Sequence, residues 1–286
     1  MTEIWASAGA GKTTQLALWA RELRGISQPV AWVGLATPGN LHPPLPWLVR
    51  SACTRAGLTS PSDASVDADF LETGDFDPRD ISTPLTIMID DLHRLQSQAD
   101  AEWLVEVCRD RPDGLRLVLA GRYPPPQLAR LPLVPDSREL RTTDLSFTQE
   151  ETATFLESVG IHLGPSEIRS VHDRTEGWTA ALVLLAGWLK RDGYVLSLPD
   201  DFGGDHRAVA DYLVNEVLGH LPQASRDFLL TTSATDTLTV PLVVELTGRA
   251  DAGAVLEELE ARTALVSHTT DVEHVYTYHS VLRSYL

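Results

Sequence analysis

The chain has 286 residues, 43% of them apolar, and a formal net charge of −17. That is enough length for two or three small domains with cores of their own, and no apolar run approaches the roughly 18 residues of a membrane span. Residues 63–113 hold 14 acidic and 4 basic side chains, a solvated acidic face that repels phosphate backbones and so makes this part a poor direct binder of nucleic acid.

Taken in chain order, the first half alternates strand and helix signals, which predicts a parallel sheet with crossover helices. Residues 3–6 read as a strand. A turn follows, Ala6-Ser7-Ala8-Gly9-Ala10-Gly11-Lys12-Thr13-Thr14, and then a helix over 13–23 with Leu16, Trp19, Ala20 and Leu23 at amphipathic spacing. Residues 30–35 form a second strand, 38–46 a turn-rich loop and 47–56 a helix. Residues 59–83, rich in Asp, Ser and Pro, read as loop with a short helical piece near Phe70 and Leu71. The apolar run Leu85–Ile89 is a strand buried on both faces, ending in Asp90-Asp91-Leu92-His93. A helix at 101–108, a buried strand at 115–120 ending in Gly121-Arg122, and an edge strand near Glu139-Leu140 complete the pattern. Cys53 and Cys108 stand far apart and without metal spacing; they are expected as buried apolar residues of a protein in a reducing cytoplasm. The polar start carries no signal-peptide pattern.

From Ser146 the strand signals stop. Thr148 and Glu151 make a capping box, and helices are expected at 149–158, 165–174, 177–191 and 206–220. Past Pro222 come helices at 223–231, 240–247 and 251–261 and two β runs, 264–268 and 274–278: three helices and a hairpin, the outline of a winged helix. The last residues, 280–286, begin a helix that the chain does not finish, as expected for a piece of a longer protein. The organisation read from this is an α/β P-loop domain (1–145), an all-α domain (146–221) and a winged-helix domain (222–286).

The chemistry sits at the ends of strands. Residues 6–13 fit the phosphate-binding loop, with Ala6 where the first glycine usually stands. Successive N–H groups of Ala8, Gly9, Ala10, Gly11, Lys12, Thr13 and Thr14 would close around phosphate oxygens at the positive end of the following helix. Lys12 reaches the β/γ-phosphates, and the Thr13 hydroxyl holds Mg²⁺. Asp90, at the carboxyl end of a central strand, is placed to bind Mg²⁺ through its waters. Asp91 is the candidate to orient or activate the attacking water, and His93 either contacts Asp91 or only packs. Arg122, always charged, could sense a γ-phosphate.

The order of these motifs resembles the STAND class of P-loop ATPases, relatives of AAA+ and NB-ARC proteins, and within it the MalT-like (LuxR-type) large transcriptional regulators. The residues that carry the resemblance are the loop Ala6–Thr14, the run Ile87–His93, the strand Leu115–Arg122, Thr175-Glu176-Gly177-Trp178, Tyr212–Leu218, Arg226–Ser233 and Tyr278-His279-Ser280-Val281-Leu282. The resemblance implies ATP or ADP held among the three domains, with slow hydrolysis resetting an ADP-bound closed state. It implies that His279 touches the β-phosphate and that Trp178, in Gly177-Trp178-Thr179, lies where relatives pack a Gly-x-Pro motif on the adenine; here Thr179 replaces the proline. Relatives hold the base partly with a segment upstream of the first strand, and the chain begins almost on that strand. The family's superhelical repeats and DNA-reading helix-turn-helix are not in this sequence.

Three functions remain in view. A nucleotide switch, acting with a protein partner or with itself through the longer regulator, accounts for all the motifs. A P-loop enzyme such as a small-molecule kinase needs an Arg-rich lid, and a Pro-rich stretch follows Arg122 instead. A nucleotide-binding module without turnover would tolerate loss of Asp91. Direct DNA reading by the winged helix is disfavoured by the few Lys and Arg from Gln223 onward.

Overall fold

The computed structural model describes residues 1–35, 43–58, 77–128, 137–192, 218–235, 237–263, 266–269 and 275–286. The helical piece expected near Phe70, most of the helix expected over 206–220 and the turn before Val275 lie outside them. The chain divides into two compact units: residues 1–6 with 12–141, and residues 7–11 with 142–286.

The first unit is built on five parallel strands. They are β1 (Thr2–Trp5), β2 (Val30–Gly34), β3 (Leu85–Asp90), β4 (Leu115–Gly121) and β5 (Arg138–Arg141), in the order β2-β3-β4-β1-β5. β3 is buried along its whole length, as its mostly apolar sequence, interrupted only by Thr86 before Asp90, suits a strand covered on both faces. β1 sits between β4 and β5, with Ile4 opposite Ala120 on one side and Leu140 on the other. Crossover helices α1 (Lys12–Gly25), α2 (Leu45–Arg55) and α3 (Gln98–Arg109) link the strands. The core joins Ile87, Ile89, Leu117 and Leu119 of the sheet to Leu45 and Val49 of α2 and Leu104 and Val107 of α3. Cys53 and Cys108 are buried in it, and burial pushes their thiols up to about 11 and about 12, so they are inert apolar fillers.

Two helices start earlier than their apolar spacing suggests, because the caps lie upstream of the pattern. Pro46 opens α2 within its first turn. Ser97 caps α3 by accepting from Asp100 N at 3.2 Å. Asp100 is itself buried, and its carboxylate accepts from Leu45 N at 3.0 Å, so one helix caps the next.

The second unit holds α4 (Thr142–Leu145), α5 (Gln149–Ser158), α6 (Pro165–Thr175) and α7 (Thr179–Asp192), then α8 (Gln223–Thr232), β6 (Leu238–Thr239), α9 (Val240–Thr247), α10 (Ala252–Thr263), β7 (Val266–Thr269), β8 (Val275–Tyr278) and α11 (Ser280–Tyr285). The expected capping box closes α5: Glu151 N donates to the Thr148 hydroxyl and Thr148 N to the Glu151 carboxylate. The three short strands pair antiparallel in the order β6-β8-β7, so a strand that the sequence pattern does not predict, Leu238–Thr239, joins the hairpin. The helical and winged-helix segments share one apolar core. Leu156, Val171, Trp178, Leu182 and Leu185 pack in the same cluster as Phe228, Val243, Leu256, Leu259, Tyr276 and Leu282.

Helix α7 begins at Thr179, two residues later than its pattern suggests. Glu176 and Gly177 both adopt left-handed backbone, with φ of 47° and 70°, and this turn ends α6 and re-aims the chain. Gly177 has no alternative: a Cβ there would stand 2.2 Å from the Phe147 carbonyl oxygen. Phe147 N donates to the Gly177 carbonyl at 2.9 Å, so the turn is pinned by backbone contact.

Candidate functional site

The loop between β1 and α1 has the backbone that phosphate cradling needs. Gly9 and Gly11 take φ of 73° and 86°, a left-handed region that glycine enters without penalty. In the first unit, Lys12 is almost fully buried, and its ammonium donates to the Ala6 carbonyl at 2.7 Å. Burial, with a smaller push from the Arg122 guanidinium, lowers its pKa to about 8 against the opposing pull of Asp90 and Asp91. A cation held this way, with its hydration stripped, gains strongly from an anion placed beside it.

The strand ends supply the carboxylates. Asp90 is buried at the end of β3, and desolvation raises its pKa while the Thr13 hydroxyl works against that rise. That hydroxyl donates to an Asp90 carboxylate oxygen at 2.7 Å. A hydroxyl and a carboxylate, both oxygen donors, brought together at the foot of a phosphate loop suit a hard divalent cation such as Mg²⁺. Asp91 stands next, with φ 58° and ψ 32°, and its N–H donates to the other Asp90 oxygen at 2.9 Å. Left-handed backbone at a non-glycine residue costs on the order of 1 kcal/mol and persists where the surroundings dictate it. Here it ends the strand abruptly and leaves the Asp91 side chain partly open, at 28% exposure.

His93 lies across from both. Its Nδ1 accepts from Arg122 N at 3.3 Å and stands 3.9 Å from an Asp91 carboxylate oxygen, and its ring meets Tyr123 edge-on. His93 thus fastens the segment after Asp91 to the end of β4. Gly121 makes this possible, since a Cβ there would stand 3.0 Å from His93 N. Neither feature is legible in a linear pattern, because the partners are 28 and 29 residues apart.

The second unit gathers the other half of the candidates. The Ala8 carbonyl accepts from the Trp178 indole N–H at 3.1 Å, and the Gly9 carbonyl from Ala180 N at 3.0 Å. Ser7 N donates to the Thr142 hydroxyl at 3.2 Å, and Ala10 is buried. Trp178 is 3% exposed and meets the His279 ring edge-on, with centroids 5.6 Å apart. His279 Nε2 stands 3.7 Å from a Glu176 carboxylate oxygen; burial lowers the His279 pKa, and Glu176 pulls the other way. Sequence reading missed Glu176 and Thr142 as members of the constellation. Thr13 and Thr14 are exposed in the first turn of α1.

Residues 214–286 match the family described as the MalT winged helix domain. The whole chain aligns with HTH-type transcriptional regulators MalT, at 29% identity with that of Serratia proteamaculans (strain 568) and 28% with that of Yersinia enterocolitica. All of this chain is covered but 33% of each relative, so it spans about a third of their length. Among solved structures, a Walker-type ATPase of Pyrococcus abyssi superposes with a TM-score of 0.66 at 15% identity, covering 99% of this chain and 89% of that one. The ORC2 protein of Aeropyrum pernix, solved as ADPNP–ADP complexes, gives 0.52 at 17%, with 99% and 84% covered. These two likenesses bear on the fold alone. No helix among the described residues is long and apolar enough to cross a membrane. The chain is thus similar along its given length to part of the MalT regulators, it carries a match to their winged helix over 214–286, and its fold is like that of a Walker-type ATPase.

Proposed function

We propose that the chain is an ATP/ADP-binding switch module of a transcriptional regulator, in which slow ATP hydrolysis restores an ADP-bound closed state. The observation that carries the reading is the cluster of Lys12, Thr13, Asp90 and Asp91 under the phosphate loop, with Thr13 and Asp90 hydrogen-bonded at 2.7 Å. Thr13 and Asp90 would hold Mg²⁺, directly or through its waters. When bound, the metal screens the phosphate charge and stabilises charge that develops during phosphoryl transfer.

Lys12 neutralises phosphate oxygens, and the backbone N–H groups of 8–14 orient them. Asp91 holds the attacking water and accepts its proton as the water oxygen bonds to the γ-phosphorus and the bond to the bridging oxygen breaks. Arg122, held at the end of β4 beside His93, stabilises the charge on the transferring group. His279 reports on the β-phosphate, and nucleotide would bias the P-loop domain (1–145) against the helical (146–221) and winged-helix (222–286) segments, which share one core. The region from Gln223 to the end has four basic and nine acidic residues, which supports a winged helix that contacts protein or nucleotide instead of DNA. Self-association or a protein partner would act through the longer regulator.

Two measurements test this. Small-angle scattering at saturating MgADP and MgATP should give different profiles, because a ligand shifts a conformational equilibrium only through differential affinity; superimposable curves contradict a switch. Asp91→Asn should lower single-turnover phosphate release by about a hundredfold or more, the range of general-base contributions. Unchanged release would leave binding without turnover.

A further inference from the structure

The Thr175-Glu176-Gly177-Trp178 turn is bonded to more of its surroundings than a helix connection needs. Its backbone is fixed in left-handed conformation at two successive residues and docked on Phe147. From that fixed base it presents two side chains. Glu176 faces His279, and Trp178 spends its only polar atom on the Ala8 carbonyl of the phosphate loop. The first turn of α7 adds a parallel tether, Ala180 N to the Gly9 carbonyl. Two consecutive carbonyls of the loop are therefore gripped by one turn of the second unit, which restrains the backbone whose N–H groups would form the anion-binding nest. The same indole rests edge-on against His279, at the start of the winged helix's last helix.

We propose that Trp178 is a positioning residue that couples His279 to the phosphate loop: its N–H fixes the Ala8 carbonyl, and its ring transmits displacement of the His279 imidazole to that loop. The inference rests on the phosphate-loop reading above but adds a route that a direct histidine–phosphate contact does not require. It also gives Trp178 a role through the loop backbone and not through the base. Losing the bond takes the indole donor from the Ala8 carbonyl and removes one restraint on the loop.

The test is calorimetric titration of the full chain with MgADP, in wild type, Trp178→Phe, His279→Ala and the double variant, with Lys12→Ala alongside. The phenyl ring keeps part of the apolar contact and removes the donor. Trp178→Phe should bind MgADP about five- to tenfold more weakly, the loss expected for one buried hydrogen bond. The His279→Ala effect should shrink at least twofold in the Trp178→Phe background. Wild-type affinity in Trp178→Phe, or strictly multiplicative effects, overturns the proposal. Lys12→Ala judges the underlying reading separately: if it binds MgADP as wild type does, the loop is not the phosphate site, whatever Trp178 does. A second readout needs no variant to fold. The Trp178 indole ¹H–¹⁵N resonance of the wild-type protein, assigned through its contacts with Ala8 and His279, should shift with MgADP and not with Mg²⁺ alone. A resonance unmoved at nucleotide saturation overturns the coupling.

Discussion

Lys12 is a buried cation that donates to the Ala6 carbonyl, and its burial disfavours the charge. A fall from 10.5 to about 8 corresponds to about 3 kcal/mol of disfavoured charge, an upper bound since the amine keeps some solvent and the Ala6 bond. Lys12→Met should therefore raise nucleotide-free stability by on the order of 1 kcal/mol while abolishing MgADP binding, as chemical denaturation and calorimetry would record. A stability loss would mean that the Ala6 contact outweighs desolvation. His279 gives a pH signature of known sign. Its folded pKa lies below the ordinary 6.5 because of burial, with Glu176 opposing. The unfolded chain thus takes up a proton at a higher pH than the folded chain, and stability drains away as pH falls below about 6.5. His279→Gln should be less sensitive between pH 7.5 and 5.5 than wild type, measured as the difference in urea midpoint; parallel curves would refute it. Lys12, Asp90 and Asp91 were legible in the sequence because a loop motif and a strand end announce them. The geometry of His93 was not, since its partners Arg122 N and Gly121 approach only when β3 and β4 pair side by side.

Among elements, the turn between α6 and α7 shows why local pattern misplaces a boundary. Apolar spacing alone extends α7 back to Gly177, but the Phe147 backbone fills the space where a side chain would stand, and positive φ at Glu176 and Gly177 breaks the helix there. The information is tertiary: it lies in residue 147, thirty positions upstream. Gly177→Ala should be among the most damaging single substitutions in the chain, costing about 3 kcal/mol or more from combined overlap and left-handed strain. Thermal unfolding measures it, and a loss below about 1 kcal/mol would mean that the turn yields. The same reasoning explains α2 and α3, whose starts are set by Pro46 and Ser97 and by a buried Asp100 that caps its neighbour. The early strands of the sheet were readable because buried parallel strands are plain apolar runs. Leu238–Thr239, two residues long, carries no period to read.

At the scale of the whole molecule, the alternation of strand and helix and its replacement by helices after Ser146 were enough to outline an α/β unit followed by an α-rich one. The shared core was not foreseeable, because nothing in a linear pattern says whether two helical segments bury their faces on each other or apart. Leu156 and Leu182 belong to the same cluster as Leu256 and Leu282. Residues 7–11 also count with the second unit and not with the strand that precedes them, bonded there through Ala8 and Gly9. A shared core predicts shared unfolding: the helical and winged-helix segments should melt as one cooperative transition. Leu156→Ala, in the helical segment, and Leu256→Ala, in the winged helix, should each lower that one transition, by about 2–5 kcal/mol for a fully buried leucine. Differential scanning calorimetry decides it. If Leu256→Ala splits off a separate early transition while the helical segment melts unchanged, the two segments are independent folding units that only touch. If both substitutions move one peak, the winged helix cannot loosen without loosening the turn that holds Trp178, and a signal reaching either segment is felt at the phosphate loop.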